Sequence, residues 1–234
     1  MIKDIINKLN RELPATVKLV AVSKFHPFES IEEAYQAGQR AFGESRPQEL
    51  MAKVKRLEEI RAERGEPDYM SDIEWHFIGH LQTNKLKMVL PYVSLVQSVD
   101  SARLLEAVDR WAAANGKIIN VLLECHVAAE ESKQGFSEQE LIELLSSEVH
   151  YANVRICGIM GMATFTDDES VVRADFQRLL DRQKTLREWM GKSQNVASGC
   201  DELSMGMSDD YPIAAAMGST IVRIGSMIFG ERTY

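Results

Sequence analysis

Residues 202–230 read ELSMGMSDDYPIAAAMGSTIVRIGSMIFG. This stretch begins with the short apolar run ELSMG (202–206), continues with helical periodicity over 209–217, and ends with a second apolar run, IVRIGSMIFG (221–230). Two short apolar runs separated by a helical segment are typical of parallel strands joined by a crossover helix. The stretch therefore predicts one strand-helix-strand unit.

The same alternation extends over the whole chain of 234 residues. Eight short runs are predicted as strands, at 17–23, 40–44, 74–79, 95–100, 119–127, 155–163, 202–206 and 221–230. Helical periodicity lies between them, at 28–38, 47–64, 82–90, 101–115, 137–149, 168–190 and 209–217. Eight such units of about 29 residues each favour a single α/β domain, residues 1–234, folded as a (β/α)8 barrel of the TIM type. An open doubly wound sheet stays as the alternative.

The first residues and the composition narrow the class of protein. The segment MIKDIINKLNREL (1–13) places Ile2, Ile6 and Leu9 on one face of an amphipathic helix, unlike the unbroken apolar stretch of a signal peptide. The longest stretches without Asp, Glu, Lys or Arg, such as 211–222, are too short to span a membrane. The net charge of −8 disfavours nucleic acid as a partner. We expect an extra N-terminal helix and a cytoplasmic protein, a monomer, that binds neither membranes nor nucleic acid.

Cysteine and histidine give no sign of a metal or thiolate site. The three cysteines are widely spaced and form no C-x-x-C pair, which favours a reducing compartment. His76 and His80 flank the end of a predicted strand, so they lack the helical spacing that places two imidazoles on one face. Cys125 and His126 are neighbours on a predicted strand and point to opposite faces. We expect no bound metal.

Lys24 is the first candidate for chemistry. It closes the first predicted strand in VAVSK (20–24), and barrel enzymes carry their chemistry where strands end. A lysine held in a barrel mouth loses hydration, which lowers its pKa and frees the amine to attack an aldehyde. The alternative is a solvated charge at the end of a strand.

Small and hydroxyl-bearing residues occur at the ends of the last two predicted strands. They are SMGMS (204–208) after strand seven, and Gly225 and Ser226 in strand eight. Barrels commonly bind phosphate at these two loops, where glycines let the backbone approach the anion. The structural alternative is that SDD (208–210) caps the following helix.

Arg223 is predicted to point into the barrel. It precedes Gly225 by two residues, and alternate residues of a strand face the same side. A buried guanidinium needs an acceptor. That acceptor is either a ligand or a carboxylate such as Glu44 or Glu202.

Several segments together closely resemble the pyridoxal phosphate homeostasis protein family, which is related to the N-terminal barrel of alanine racemase. They are VAVSK (20–24), FGESRPQEL (42–50), WHFIGHLQTNK (75–85), ESKQGF (131–136), GIMGMA (158–163) and the block 203–230. The resemblance covers nearly the whole chain, and its most specific part is the last block. It implies the barrel of fold type III pyridoxal phosphate proteins.

The resemblance implies six cofactor-binding residues, namely Lys24, Ser204, Met205, Arg223, Gly225 and Ser226. Lys24 is expected to carry pyridoxal 5′-phosphate as a reversible Schiff base, and Arg223 to face the pyridine nitrogen. Ser204, Gly225 and Ser226, with neighbouring backbone, are expected to hold the phosphate.

Two positions depart from the family pattern. Ser45 stands where the family usually has asparagine, which leaves its contact open, whereas Ser226 replaces threonine and keeps a hydroxyl. Met160 and Met162 are expected on one face of strand six, either lining the ring pocket or packing in the core. Lys133 matches a family lysine on a loop, and a solvated charge is the favoured interpretation.

The resemblance favours a cofactor carrier over an enzyme. Arg223 is permanently protonated, so it would donate to an unprotonated ring nitrogen and weaken the ring as an electron sink. A racemase also needs a second acid or base, which a further domain supplies in alanine racemase and which we do not expect here. We therefore expect a protein of vitamin B6 homeostasis that passes pyridoxal phosphate to apoenzymes. The alternatives are a low-activity amino-acid racemase or related enzyme, and a cofactor-free barrel in which Lys24 attacks a sugar phosphate.

Overall fold

Eight parallel strands close into a barrel in the computed structural model of the chain, which describes residues 1–129, 134–193 and 199–230. Each strand pairs with the next one along the chain, and the eighth pairs with the first. In chain order the strands are β1 (Lys18–Val22), β2 (Ala41–Glu44), β3 (Glu74–Phe77), β4 (Leu95–Val99), β5 (Ile119–Glu124), β6 (Val154–Met160), β7 (Glu202–Ser204) and β8 (Ile221–Ile224). The predicted α/β barrel is confirmed, and the closed ring excludes the open doubly wound sheet.

Helices connect the strands and cover the outside of the barrel. In chain order they are α1 (Ile2–Glu12), α2 (Phe28–Gln36), α3 (Pro47–Arg64), α4 (Leu86–Val89), α5 (Ala102–Ala114), α6 (Glu138–Ser146), α7 (Glu169–Glu188), α8 (Tyr211–Ala216) and α9 (Ser226–Phe229). A 3-10 turn, Thr83–Lys85, precedes α4. Because α1 comes before the first strand, the predicted extra N-terminal helix is confirmed. Over the described ranges, the helices are too short or too polar to cross a lipid bilayer.

Local sequence explains where several helices begin. The Ser137 hydroxyl accepts a hydrogen bond from the Glu140 amide, and the Glu140 carboxylate accepts one from the Ser137 amide, so α6 starts with a capping box. At α7 the Asp168 carboxylate accepts from the amide of Ser170. Pro47 opens α3, where its missing N–H leaves no helical hydrogen bond unmade. These signals fix the direction in which the chain leaves each strand.

Strand alternation divides the core into two layers. One cluster fills the inside of the barrel and consists of Val20, Ala41, Leu95, Leu122, Met160 and Ile221. The larger cluster lies between the barrel and the helices, and α1 joins it through Ile6 and Leu9, which are fully buried. Val22 and Arg223 come two residues after inner residues, so they occupy the next inner layer towards the carboxyl ends of the strands.

The predicted strand ends need correction. Strand eight was predicted to reach residue 230, but β8 ends at Ile224 and Ser226–Phe229 form a helical turn. A short apolar run such as SMIF has no periodicity that separates strand from helix. Strands five and six likewise end at Glu124 and Met160, three residues before their predicted ends. The extra residues belong to the loops that form the barrel mouth.

Candidate functional site

Lys24 lies in a turn at the carboxyl end of β1. Since β1 ends at Val22, Lys24 comes two residues beyond the strand rather than closing it as predicted. The His26 amide donates to the Ser23 carbonyl oxygen at 3.1 Å and closes the turn, and Lys24 is half-buried in it. The His26 ring stacks on Phe229 with 5.1 Å between the centroids. The turn that bears Lys24 therefore contacts α9, the helix that starts at the predicted phosphate residue.

Arg223 points into the barrel, as predicted, and is only 4% exposed. Its guanidinium donates to the Ser204 hydroxyl at 2.6 Å through one terminal nitrogen and to the Gly161 carbonyl oxygen at 2.9 Å through the other. Burial lowers the pKa of Arg223 to about 10, so the side chain still carries its proton at neutral pH. Two protein acceptors hold the plane of the guanidinium in place.

Neither of the carboxylates proposed as partners for Arg223 pairs with it. Glu44 lies on the outer side of β2, where the ammonium of Lys53 donates to its Oε1 at 2.5 Å and the Ser23 hydroxyl donates to the same atom at 2.6 Å. Burial raises the pKa of Glu44, although Lys53 opposes the shift. Glu202 accepts a hydrogen bond from Thr220 near the start of β7. Both carboxylates are thus removed from the inner layer that holds Arg223.

A chain of hydrogen bonds continues from Arg223 across the barrel interior. The Ser204 hydroxyl donates to the Gln97 Oε1 at 2.7 Å, and the Gln97 amide nitrogen lies 2.8 Å from the His76 Nδ1. The other ring nitrogen of His76 lies 3.7 Å from a Glu74 oxygen. Burial lowers the pKa of His76, which favours the neutral ring, and the contact with His76 lowers the pKa of Glu74 to about 2. These groups lie deeper in the barrel than the mouth and orient Arg223 through Ser204.

The hydrogen bonds inside the barrel give Ser204 a role that the sequence did not suggest, namely contact with other protein side chains. Its hydroxyl is fully buried and has two protein partners, Gln97 and Arg223. Contact between Ser204 and a phosphate stays a prediction. Sequence reasoning missed Gln97, yet a signal existed, because a glutamine two residues after the inner Leu95 of an apolar strand must face the barrel interior.

Ser226 and Ser208 meet at the barrel mouth. Their hydroxyl oxygens lie 3.1 Å apart, one at the start of α9 and the other in the loop after β7. Gly225 precedes α9 rather than lying in the strand, and a Cβ there would come within 3.1 Å of the Val22 carbonyl oxygen. Ser208 lies in the predicted phosphate loop, 204–208, but is not among the six residues that the resemblance implies. Asp210 is in fact the residue before α8, and its carboxylate accepts from the Met207 amide rather than capping the helix.

Met205 lies apart from these hydroxyls. Its side chain is fully buried in the outer core, and its amide donates to the Ile221 carbonyl oxygen at 3.1 Å. Its contact with the cofactor stays a prediction. The next residue, Gly206, has φ +98°, and a Cβ there would come within 2.6 Å of the Ala214 Cβ. This glycine allows the loop to turn back towards the mouth while α8 packs closely against it.

Glu124 is a buried carboxyl at the mouth that sequence reasoning missed. It ends β5 two residues after the inner Leu122 and is 7% exposed. Burial and the nearby Asp100 raise the pKa of Glu124 to about 7, whereas Arg223 opposes the shift.

Met160, expected to share a face of strand six with Met162, is fully buried in the inner cluster. Met162 lies beyond the end of β6, so strand alternation does not apply to it.

The histidine and cysteine candidates are dispersed. His80 lies 3.1 Å from the Asp100 carboxylate, whereas His76 is buried inside the barrel. Within residues 1–129, 134–193 and 199–230, no three His, Cys, Asp or Glu side chains are grouped as a metal site would require. Cys125 lies just beyond β5, and burial raises the pKa of its thiol to about 12. Lys133 falls outside the described residues.

Comparisons with known proteins agree on one family. A model of the alanine racemase N-terminal domain matches residues 2–233. The pyridoxal phosphate homeostasis protein of Homo sapiens is 40% identical over 235 residues, covering 96% of this chain and 80% of the human one. The protein of the same name from Aquifex aeolicus is 37% identical over 217 residues, covering 93% of this chain and 88% of its own.

A solved structure matches the complete barrel. PipY of Synechococcus elongatus PCC7942, whose structure was solved with pyridoxal phosphate bound, is 32% identical to this chain. The match has a TM-score of 0.82 and covers 98% of this chain and 100% of PipY. The names of the curated relatives describe homeostasis of a cofactor rather than catalysis of a reaction.

Proposed function

Because the chain belongs to the pyridoxal phosphate homeostasis proteins, a family with the alanine racemase N-terminal domain, we propose that it binds pyridoxal 5′-phosphate and acts in the homeostasis of this cofactor. Lys24 holds the cofactor as a reversible Schiff base. The observation that carries the proposal is the meeting, at one barrel mouth, of the Lys24 turn, the buried Arg223 and the Ser208–Ser226 hydroxyl pair.

The residues of the mouth fit the three parts of the cofactor. Two hydroxyls 3.1 Å apart, on Ser208 and Ser226, can each donate to a phosphate oxygen. Gly225 lies beside them, where a side chain would crowd the backbone of β1. Lys24 supplies the amine for the aldehyde, and Arg223 supplies donors for the ring nitrogen.

Arg223 explains why a carrier is favoured over an enzyme. Its terminal nitrogens each donate one hydrogen bond to protein, and a guanidinium carries five N–H groups, so Arg223 can also donate to a ligand. When bound, pyridoxal phosphate supplies an aldehyde that condenses with amines and a ring that can accept electrons. A guanidinium donates to the ring nitrogen without protonating it, so Arg223 favours binding through the aldehyde over use of the ring as an electron sink.

The barrel mouth also gives a physical basis for release. A Schiff base is hydrolysed by water, and the half-buried Lys24 lies where solvent can reach it. We propose that the cofactor passes from here to pyridoxal phosphate-dependent apoenzymes. The cytoplasmic location, the monomeric state and the single domain over 1–234 stay predictions.

Replacement of Lys24 tests this function. Purified protein is loaded with pyridoxal phosphate, and its visible absorbance is compared among wild type, Lys24→Ala and Lys55→Ala. Lys55 is an exposed lysine of α3 with an ion pair to Glu59, so its loss should leave the band unchanged. The proposal predicts that only Lys24→Ala removes the protein-bound band. A band of wild-type size in Lys24→Ala would show that another group holds the aldehyde.

A further inference from the structure

The turn that bears Lys24 has an unfavourable backbone conformation. Phe25 has φ +68°, in the left-handed region that favours glycine, and the hydrogen bond from His26 to Ser23 makes Phe25 the third residue of a β-turn. A residue with a side chain rarely adopts this conformation unless neighbouring groups hold it there. The structure therefore has to contain groups that hold the turn.

Helix α3 supplies these groups on both sides of Lys24. On one side, the Glu49 Oε2 accepts a hydrogen bond from the Phe25 amide at 2.9 Å. On the other, the Lys53 ammonium donates to the Ser23 carbonyl oxygen at 2.7 Å. Glu49 and Lys53 are four residues apart and lie one above the other on the same face of α3. One helix face thus contacts the residue before Lys24 and the residue after it.

Of these two groups, Glu49 is the one that contacts Phe25, the residue with the unfavourable φ. A carboxylate that accepts from an amide forms a charge-assisted hydrogen bond, stronger than one between neutral groups. Arg46 reinforces the arrangement, because its guanidinium lies 4.2 Å from the centre of the Phe25 ring and 3.3 Å from the other oxygen of Glu49. Glu49 thus holds the amide of Phe25, and Arg46 contacts both the Phe25 ring and the Glu49 carboxylate.

We propose that Glu49 is a positioning residue, which holds Phe25 in its left-handed conformation and so directs the Lys24 amine towards the barrel mouth. The inference rests on the function proposed above. Without Glu49, Phe25 relaxes towards negative φ and the peptide before it rotates, so the amine of Lys24 meets an aldehyde in the mouth less often. Small displacements of a reacting group are costly to covalent bond formation.

The test compares two ligands that differ at the reacting group. Pyridoxal phosphate reports the bond to Lys24, whereas pyridoxamine phosphate lacks the aldehyde and reports the phosphate and ring contacts alone. Glu49→Ala should lower the affinity for pyridoxal phosphate by about tenfold or more and leave that for pyridoxamine phosphate unchanged. Glu49→Gln keeps an oxygen acceptor for the Phe25 amide and should lose less than Glu49→Ala. Glu58→Ala removes an exposed carboxylate of the same helix and should match wild type.

A second substitution tests the cause. Glycine adopts φ +68° without strain, so Phe25→Gly should restore part of the affinity for pyridoxal phosphate when added to Glu49→Ala. Equal losses for both ligands, wild-type affinity in Glu49→Ala, or no restoration by Phe25→Gly would each overturn the inference. Failure of the proposed function gives a different result, since Lys24→Ala would then retain the visible band.

Discussion

The carboxyl of Glu124 lies in a buried position at the barrel mouth, between groups of opposite charge. Asp100 raises its pKa and Arg223 lowers it, but burial has the largest effect and brings the pKa of Glu124 to about 7. The side chain therefore changes charge near neutral pH. A proton gained or lost there changes the electrostatic field around Arg223, the proposed partner of the cofactor ring.

Glu124→Gln should stabilise the cofactor-free protein more at about pH 8 than at about pH 5. Folded Glu124 keeps its proton up to about pH 7, whereas in the unfolded chain it ionises near pH 4.5. The folded state binds the extra proton between these values, so wild-type stability falls as the pH rises through this window. Glutamine has no proton to lose, and its advantage in the free energy of unfolding should grow by about 2 kcal/mol.

Urea unfolding of both proteins at both pH values measures this difference. Glu58→Gln, an exposed carboxylate on α3, serves as the control and should show no such growth with pH. If the Glu124→Gln difference were the same at pH 5 and pH 8, Glu124 would titrate as an ordinary surface carboxyl.

The sequence predicted the direction of single side chains better than it predicted their hydrogen-bond partners. The inward direction of Arg223 followed from strand alternation, because Arg223 and Gly225 are two positions apart and were predicted to face the same side of the strand. Its contacts did not follow, because Ser204 and Gly161 lie 19 and 62 positions before Arg223 in the chain and meet it only through the register of the closed barrel. Ser204 was therefore expected to face a phosphate rather than Arg223 and Gln97.

Among the elements, the loop between β7 and α8 depends most on one residue. Gly206 has φ +98° and its missing side chain leaves room for Ala214, while its carbonyl oxygen accepts from the Arg223 amide at 2.9 Å. The loop then leads to Ser208. A side chain at position 206 would displace both α8 and Ser208, the proposed phosphate contact.

Gly206→Ala should cost about 2–4 kcal/mol of the free energy of unfolding, since it adds a steric clash to an unfavourable φ. Gly218→Ala is the matched control, because Gly218 has the same φ of +98° but open space where a Cβ would be. That variant should lose about 1 kcal/mol, the conformational cost alone. Thermal or urea unfolding measures both, and equal losses would contradict the close contact with Ala214.

The ends of elements were the least predictable part of the fold. Helix α3 was predicted at its observed bounds, 47–64, because a proline opens it and a glycine follows it. Strand eight was predicted six residues too long, since Gly225 interrupts an apolar run without changing its composition. The consequence for the site is direct, because Ser226 begins a helix and its hydroxyl reaches Ser208.

For the whole molecule, closure of the barrel sets the geometry of the site. Pairing of β8 with β1 places Arg223 beside Val20, and pairing of β6 with β7 places Ser204 beside Met160. The count of eight strand-helix units predicted this closure, because each unit repeats the same right-handed connection. The polar chain from Glu74 to Arg223 could not be predicted, since it depends on how the strands are staggered around the ring.

Identification of the residue that holds the aldehyde tests the proposed Schiff base on Lys24. Protein loaded with pyridoxal phosphate is reduced with borohydride, digested, and mapped by mass spectrometry. We predict one stoichiometric adduct, on the peptide that contains Lys24. An adduct on a different lysine, or unmodified Lys24 in protein that still binds the cofactor, would contradict this prediction.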